Sequence, residues 1–276
     1  FISRYQEATY AIDHPSNYKK YMLEIATSSN DTLKIAEIDF VERNELLSWD
    51  EFAYPKVNFE MKNPENEGSQ IYLQLVQAPE AYIRYHARKV SEILYYSAQD
   101  SIPDVQLINY VLKDYDGISE KSGRSPEITI SYSTQHIEKS ATTSLYALNY
   151  ETRGVLYHEL VHGYQFEPKG IGTYSTNKEF RACIEGVADA VRTEAGFFDI
   201  ETLRKPGGHW LDGYKTTGFF LQWLTTKDPD AIRKFNVTVR DLETWSFDNA
   251  IKMIFGEDTG IESLWSEYQT YLNKQS

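Results

Sequence analysis

Tyr157-His158-Glu159-Leu160-Val161-His162 sets two histidines four residues apart, with a glutamate directly after the first. The apolar spacing around them reads as a helix, and on a helix residues i and i+4 lie one turn apart on the same face. Both imidazoles can therefore reach a single metal ion. This is the H-E-x-x-H arrangement, in which two histidines hold zinc and the glutamate stands beside the metal's open side as general base. The chemistry open to such a set is hydrolysis by an activated water, with Glu159 taking the proton.

A catalytic zinc takes three protein ligands and a water, so a third donor has to come from elsewhere in the chain. A second helical stretch, Phe180 to Glu194, carries Glu185 and Asp189, again four apart. The metzincin continuation of the motif would need Gly where Gln165 stands and His or Asp where Pro168 stands, and both differ. The gluzincin continuation needs a Glu on a following helix, which Glu185 supplies. Gly186, Ala188 and Ala190 keep that helix thin enough to lie against the first. Either carboxylate can be the third ligand. The longer side chain favours Glu185, and leaves Asp189 to orient a ligand histidine through its free ring N–H.

These residues sit in a longer pattern. Gly154 to His162 with Gln165 is followed by Ile184 to Asp189, Val191-Arg192 and Ala195-Gly196, then Pro206-Gly207, Trp210, Gly213-Tyr214, Thr217 and Phe220-Leu221. In order and spacing they resemble the plant basic secretory proteins and their bacterial relatives, a group of gluzincin-type zinc peptidases, over roughly residues 55 to 272. The resemblance implies an α+β, zincin-like metallopeptidase domain with a mixed sheet, an active-site helix and a helical C-terminal part. It implies Zn2+ held by His158, His162 and Glu185, with Glu159 as base. It also points to Tyr214, in the matched Gly-Tyr segment, as donor to the developing oxyanion, with His209 second. Two departures stand out: Ala190 replaces a usual aromatic, and the chain is acidic although the family is named for basic members.

The net charge is −13 at pH 7 and the isoelectric point near 5.0. A surface of that sign repels phosphate backbones and anionic lipids, so nucleic acid is not an expected partner. No apolar run approaches the roughly 20 residues of a membrane span, and Phe1 does not begin a signal peptide, so the chain reads as a mature or trimmed secreted, cell-surface or periplasmic protein. The single cysteine, Cys183, cannot form an internal disulfide and is expected as a small buried apolar residue.

Residues 1–43 have a different texture, within a β-strand segment expected over residues 1–50. Tyr21 to Ile25 and Leu33 to Phe40 alternate like half-buried strands across a Ser29-Asn30-Asp31 turn. Tyr18 to Phe40 resembles the last strands of a discoidin-like, galactose-binding sandwich. Some 43 residues cannot close a sandwich that takes roughly 100, so the beginning of that module is expected outside this chain. The resemblance implies association with glycans or cell surfaces, and no binding residues are assigned here. Residues 51–276 are expected to form the metallopeptidase domain.

Within that domain the pattern predicts a connecting region to residue 78 with a short strand at Val57-Asn58-Phe59, a helix from Glu80 to about Tyr96, and strands at Val105 to Leu112 and Glu127 to Tyr132. Gly117 to Pro126 reads as a loop, Ser140 to Tyr150 as an irregular cleft rim. By resemblance, Ile128 to Ser133 is the edge strand that pairs with an extended substrate. Four C-terminal helices are predicted: Trp210 to Leu224, Asp230 to Val239, Phe247 to Phe255 and Ile261 to Tyr271. Trp223, Trp245, Trp265 and Tyr268 recur at helical spacing and are expected in the core. His14, His86 and His136 have no partner at ligand spacing and are expected to be structural. The sequence therefore suggests a peptidase, against two alternatives. One is a silent zinc-containing binding module at glycans or cell surfaces, which would not need Glu159. The other is a structural zinc protein, which would need a fourth side chain.

Overall fold

A computed structural model describes residues 48–275. The elements in order are strand β1 (Lys56–Met61), helices α1 (Glu67–Leu75) and α2 (Pro79–Leu94), and strands β2 (Leu107–Lys113), β3 (Ser119–Arg124) and β4 (Glu127–Ser133). Then come helices α3 (Thr134–Ala141), α4 (Leu145–Tyr164), α5 (Lys178–Glu194), α6 (Ile200–Leu203), α7 (Tyr214–Trp223), α8 (Ala231–Asp241), α9 (Phe247–Phe255) and α10 (Ile261–Gln275). The architecture is α+β: a four-stranded mixed sheet in the first half, helices through the second.

The sheet order is β1-β2-β4-β3, with β1, β2 and β4 parallel and β3 antiparallel to β4. This corrects two expectations. Residues 119–124 form a strand rather than lying in a loop, and β4 has a neighbour on each side, so the edge strand near the cleft is β3 and not Ile128 to Ser133. The reason β3 escapes a periodicity reading is that Ser-Glu-Lys-Ser-Gly-Arg has no apolar face, since its hydrogen-bonding partner β4 carries the buried residues Ile128, Ile130 and Tyr132.

Helix α4 is the central element. Its 20 residues start at a serine cap, with Ser144 Oγ accepting from Ala147 N. Helix α3 is capped in the same way by Ser133. Between them these two helices leave only 142–144 of the expected irregular rim. Residues on nearly every side of α4 are buried, among them Leu148, Val155, Leu156, Glu159, Leu160 and Tyr164, as befits a helix enclosed by α2, α5 and the β3–β4 hairpin. Helix α1 was not legible locally because its N-terminal amide at Gly68 is satisfied by Glu138, 70 residues away.

The closest packing is between α5 and α7. A Cβ on Gly186 would stand 2.5 Å from Thr217 Cγ2, and one on Gly218 would stand 2.6 Å from Asp189 Cβ and 2.9 Å from its carbonyl carbon. Only glycine permits this backbone approach. Helix α7 starts at Tyr214 rather than Trp210 because Gly213 and Tyr214 take φ of +74° and +44°, which turns the chain just before it. The expected aromatics Trp223, Trp245, Trp265 and Tyr268 and the thiol of Cys183 are all in the core. Trp49 and Phe52 join the same core. The strands expected within residues 1–47, and His14, lie outside the described residues.

The α5–α7 contact yields a stability test. At an open helical position Gly→Ala gains about 1 kcal/mol. Here the added methyl meets backbone, so Gly218→Ala should instead lose about 1–3 kcal/mol in urea unfolding. A stabilised variant would contradict the close approach.

Candidate metal centre

His158 and His162 project from one face of α4, and Glu185 faces them from α5. His158 Nε2 lies 3.1 Å from His162 Nε2, and Glu185 Oε2 lies 3.2 Å and 3.7 Å from the two nitrogens. Three atoms so spaced are all equidistant from a point about 2 Å from each, which is the length of a Zn–N or Zn–O bond. Glu185 Oε2 is buried and makes no aligned hydrogen bond despite the nearby imidazole. A buried carboxylate oxygen left without a hydrogen and aimed between two ring nitrogens fits a cation.

Each of the three donors is held from behind. Asp189 Oδ1 accepts from His158 Nδ1 at 2.7 Å and does not join the converging set. The Gln165 side-chain amide lies 2.7 Å from His162 Nδ1 and reaches the Ile184 carbonyl at 3.1 Å. Its buried oxygen has no partner. The Tyr174 hydroxyl donates to Glu185 Oε1 at 2.6 Å, which leaves Oε2 for the metal position.

Charge follows the same geometry. Burial opposes a proton on His158, but the hydrogen bond to Asp189 and the adjacent Glu185 carboxylate outweigh it and hold its pKa up at about 10. At His162 burial, and then the His158 charge beside it, push the pKa down to about 3. Burial would raise Glu185, but the two imidazoles facing it and the Tyr174 hydrogen bond bring it below the usual carboxylate range. Without metal the two imidazoles thus share one positive charge, on His158, and metal binding there would release that extra proton.

Glu159, on the neighbouring face of α4, is only 4% exposed. Ser119 Oγ on β3 donates to its Oε1 at 2.6 Å. Burial raises the Glu159 pKa above that of a free glutamate, against the pull of His158 and of the Ser119 hydrogen bond.

Tyr214 is brought to the rim of the centre. Its ring lies parallel to that of His158 with centroids 6.1 Å apart, and half its surface is open. A bulky residue at φ +44° is strained, and such strain concentrates at functional sites. His209 is not brought in: its Nδ1 accepts from Leu211 N and its ring lies against Trp210 and Trp265. The other two described histidines are structural as expected. His86 is buried among Tyr82, Tyr85 and Tyr157, and His136 pairs with Glu151, which in turn pairs with Arg192.

A model of the family described as "Peptidase of plants and bacteria" matches residues 54–268. The chain belongs to this family, the basic secretory protein family. No curated protein and no solved structure matches it. Membership makes a peptide or protein the substrate class, and the His158, His162 and Glu185 cluster is able to bind a metal ion.

Ser119 and Tyr174 are the contributors that sequence reasoning missed. Ser119 is in the unread strand β3. Tyr174 lies in the segment between α4 and α5, where nothing in spacing marks it; only its placement opposite Glu185 does. Tyr174→Phe and Asp189→Ala should each weaken zinc binding by about 10- to 100-fold, the usual cost of losing a group that orients a ligand, while Glu185→Ala should weaken it further. Competition with a chromogenic chelator on folded protein measures all three, and a larger loss for Asp189→Ala than for Glu185→Ala would reassign the third ligand.

Proposed function

We propose that the chain is a zinc-dependent peptidase of zincin-like, gluzincin-type architecture that hydrolyses peptide bonds with Glu159 as general base. The observation that carries this reading is the convergence of His158 Nε2, His162 Nε2 and Glu185 Oε2 on one point, with a buried carboxylate held beside them. Zinc bound by these three residues would lower the pKa of a water to about 7 and polarise the scissile carbonyl.

The chain's own residues do the remaining work. Ser119 engages Glu159 Oε1, so Oε2 is free to accept the water's proton and later deliver it to the leaving amine. The raised pKa of Glu159 brings it nearer neutrality, where a group that must first accept and then donate a proton works best. Asp189 and Gln165 fix the two imidazole planes, and Tyr174 turns Glu185. The Tyr214 hydroxyl, on a ring stacked along His158 at the rim, is the donor for the developing oxyanion. An extended substrate pairs with the outer edge of β3, the role assigned above to β4.

The silent binding module is the weaker reading. Holding zinc requires no carboxylate beyond Glu185 and the orienting Asp189, yet Glu159 is buried and positioned by a hydrogen bond from another element. For residues 1–50 we keep the discoidin-like module as a proposal, and with it secretion and delivery to glycans or cell surfaces.

Glu159→Gln separates ligand from base. The variant should retain one zinc per chain and lose at least about 100-fold in hydrolysis of an unfolded protein, because an amide cannot accept the proton. Chelation should abolish wild-type hydrolysis and added zinc restore it. Turnover near wild type in the variant retires Glu159 as base; turnover by metal-free protein retires zinc.

A further inference from the structure

Strand β3 presents alternate side chains to the catalytic helix. Ser119 and Lys121 are the two half-buried members of an otherwise exposed strand, and alternation along it puts both on one face, about 7 Å apart. Ser119 reaches Glu159. Glu120, pointing the other way, pairs with Lys113 at 2.6 Å. Lys121 lies within the field of Glu159, His162 and Glu167. Neither acid takes it as a contact partner: Glu159 is held by Ser119, and Glu167 pairs with Arg124 at 2.9 Å. Among the described residues Lys121 makes no contact ion pair, and burial draws its pKa below that of a free lysine.

From this placement we propose that Lys121 is a specificity residue, which binds a substrate carboxylate next to the scissile bond. The inference rests on the peptidase reading above and gives it a substrate class. A peptide paired along the outer edge of β3 advances at the same repeat as the strand, so a residue adjoining the bond held at Glu159 comes level with Lys121. Its carboxylate then completes a pair for a half-buried cation, which gains more from a contact anion than an exposed one does. The acidic surface does not cancel this. At physiological ionic strength charges beyond about 8 Å are largely screened, so the contact cation decides. The carboxylate can belong to a Glu or Asp side chain or to a free C-terminus.

The test uses zinc-loaded full chain and three fluorogenic peptides: an amidated one with Glu beside the cleaved bond, the same with Gln, and the Gln peptide ending there in a free carboxylate. The wild type should favour a carboxylate peptide over the amidated Gln peptide by about 10-fold or more in kcat/KM. Lys121→Met should bring that ratio close to one, Lys121→Arg should keep it, and Lys121→Glu should invert it. Which carboxylate peptide is favoured identifies the source. Binding of the same peptides to the Glu159→Gln protein, by fluorescence anisotropy, gives a readout independent of turnover. Cleavage without a charge preference, or a preference that survives Lys121→Met, overturns the assignment and leaves the peptidase reading standing. Absence of cleavage with Lys121-dependent binding overturns the peptidase reading alone. Absence of both cleavage and charge-dependent binding overturns the assignment too.

Discussion

Glu159, Glu185 and Asp189 are buried around two imidazoles, Glu185 and Asp189 in contact with His158, and none of the three is more than 5% exposed. Carboxylates withdrawn from water have to be paired or hydrogen-bonded, and several in one place have to be matched by positive charge. Without metal the only positive charge on the two imidazoles is that of His158, which leaves the acids in excess. A divalent cation at the point where His158, His162 and Glu185 converge closes the gap. The division of labour follows from that balance. One carboxylate faces the cation position, one faces the back of an imidazole, and one is held by Ser119 to move protons.

The fold serves this arrangement through close approach. Helix α4 is enclosed, so the two imidazoles have little freedom, and α5 lies beside it with its carboxylates toward them. Gly186 and Gly218 let α7 press against α5 beside Glu185 and Asp189, which carries Tyr214 to the rim. The left-handed turn at Gly213 and Tyr214 aims that ring along His158. On the opposite side, β3 supplies Ser119 and Lys121 from a strand that, among the described residues, lies at the edge of the sheet.

What was legible in the sequence was local or periodic. The spacing of His158, Glu159 and His162 is a property of one helix, and Glu185 with Asp189 a property of another, so both sets could be read as faces before their relation in space was known. The buried strands β2 and β4 and the C-terminal helices announced themselves by apolar recurrence. Contributions that depend on tertiary placement were silent. Strand β3 has no apolar face because its inner side serves polar groups, α1 is capped by Glu138 from 70 residues away, and Tyr174 lies in a connecting segment without periodicity. His209 was raised only by its position in a matched block, and its ring packs instead against Trp210 and Trp265.

The central claim is that these three side chains form one zinc site. Crystals of the zinc-loaded protein, with diffraction recorded on both sides of the zinc absorption edge, test it most directly. The account predicts a single strong anomalous peak at about 2.0–2.2 Å from His158 Nε2, His162 Nε2 and Glu185 Oε2, with Asp189 still on His158 Nδ1. A peak bonded to Asp189 with Glu185 turned away, or no peak at these residues, would contradict it.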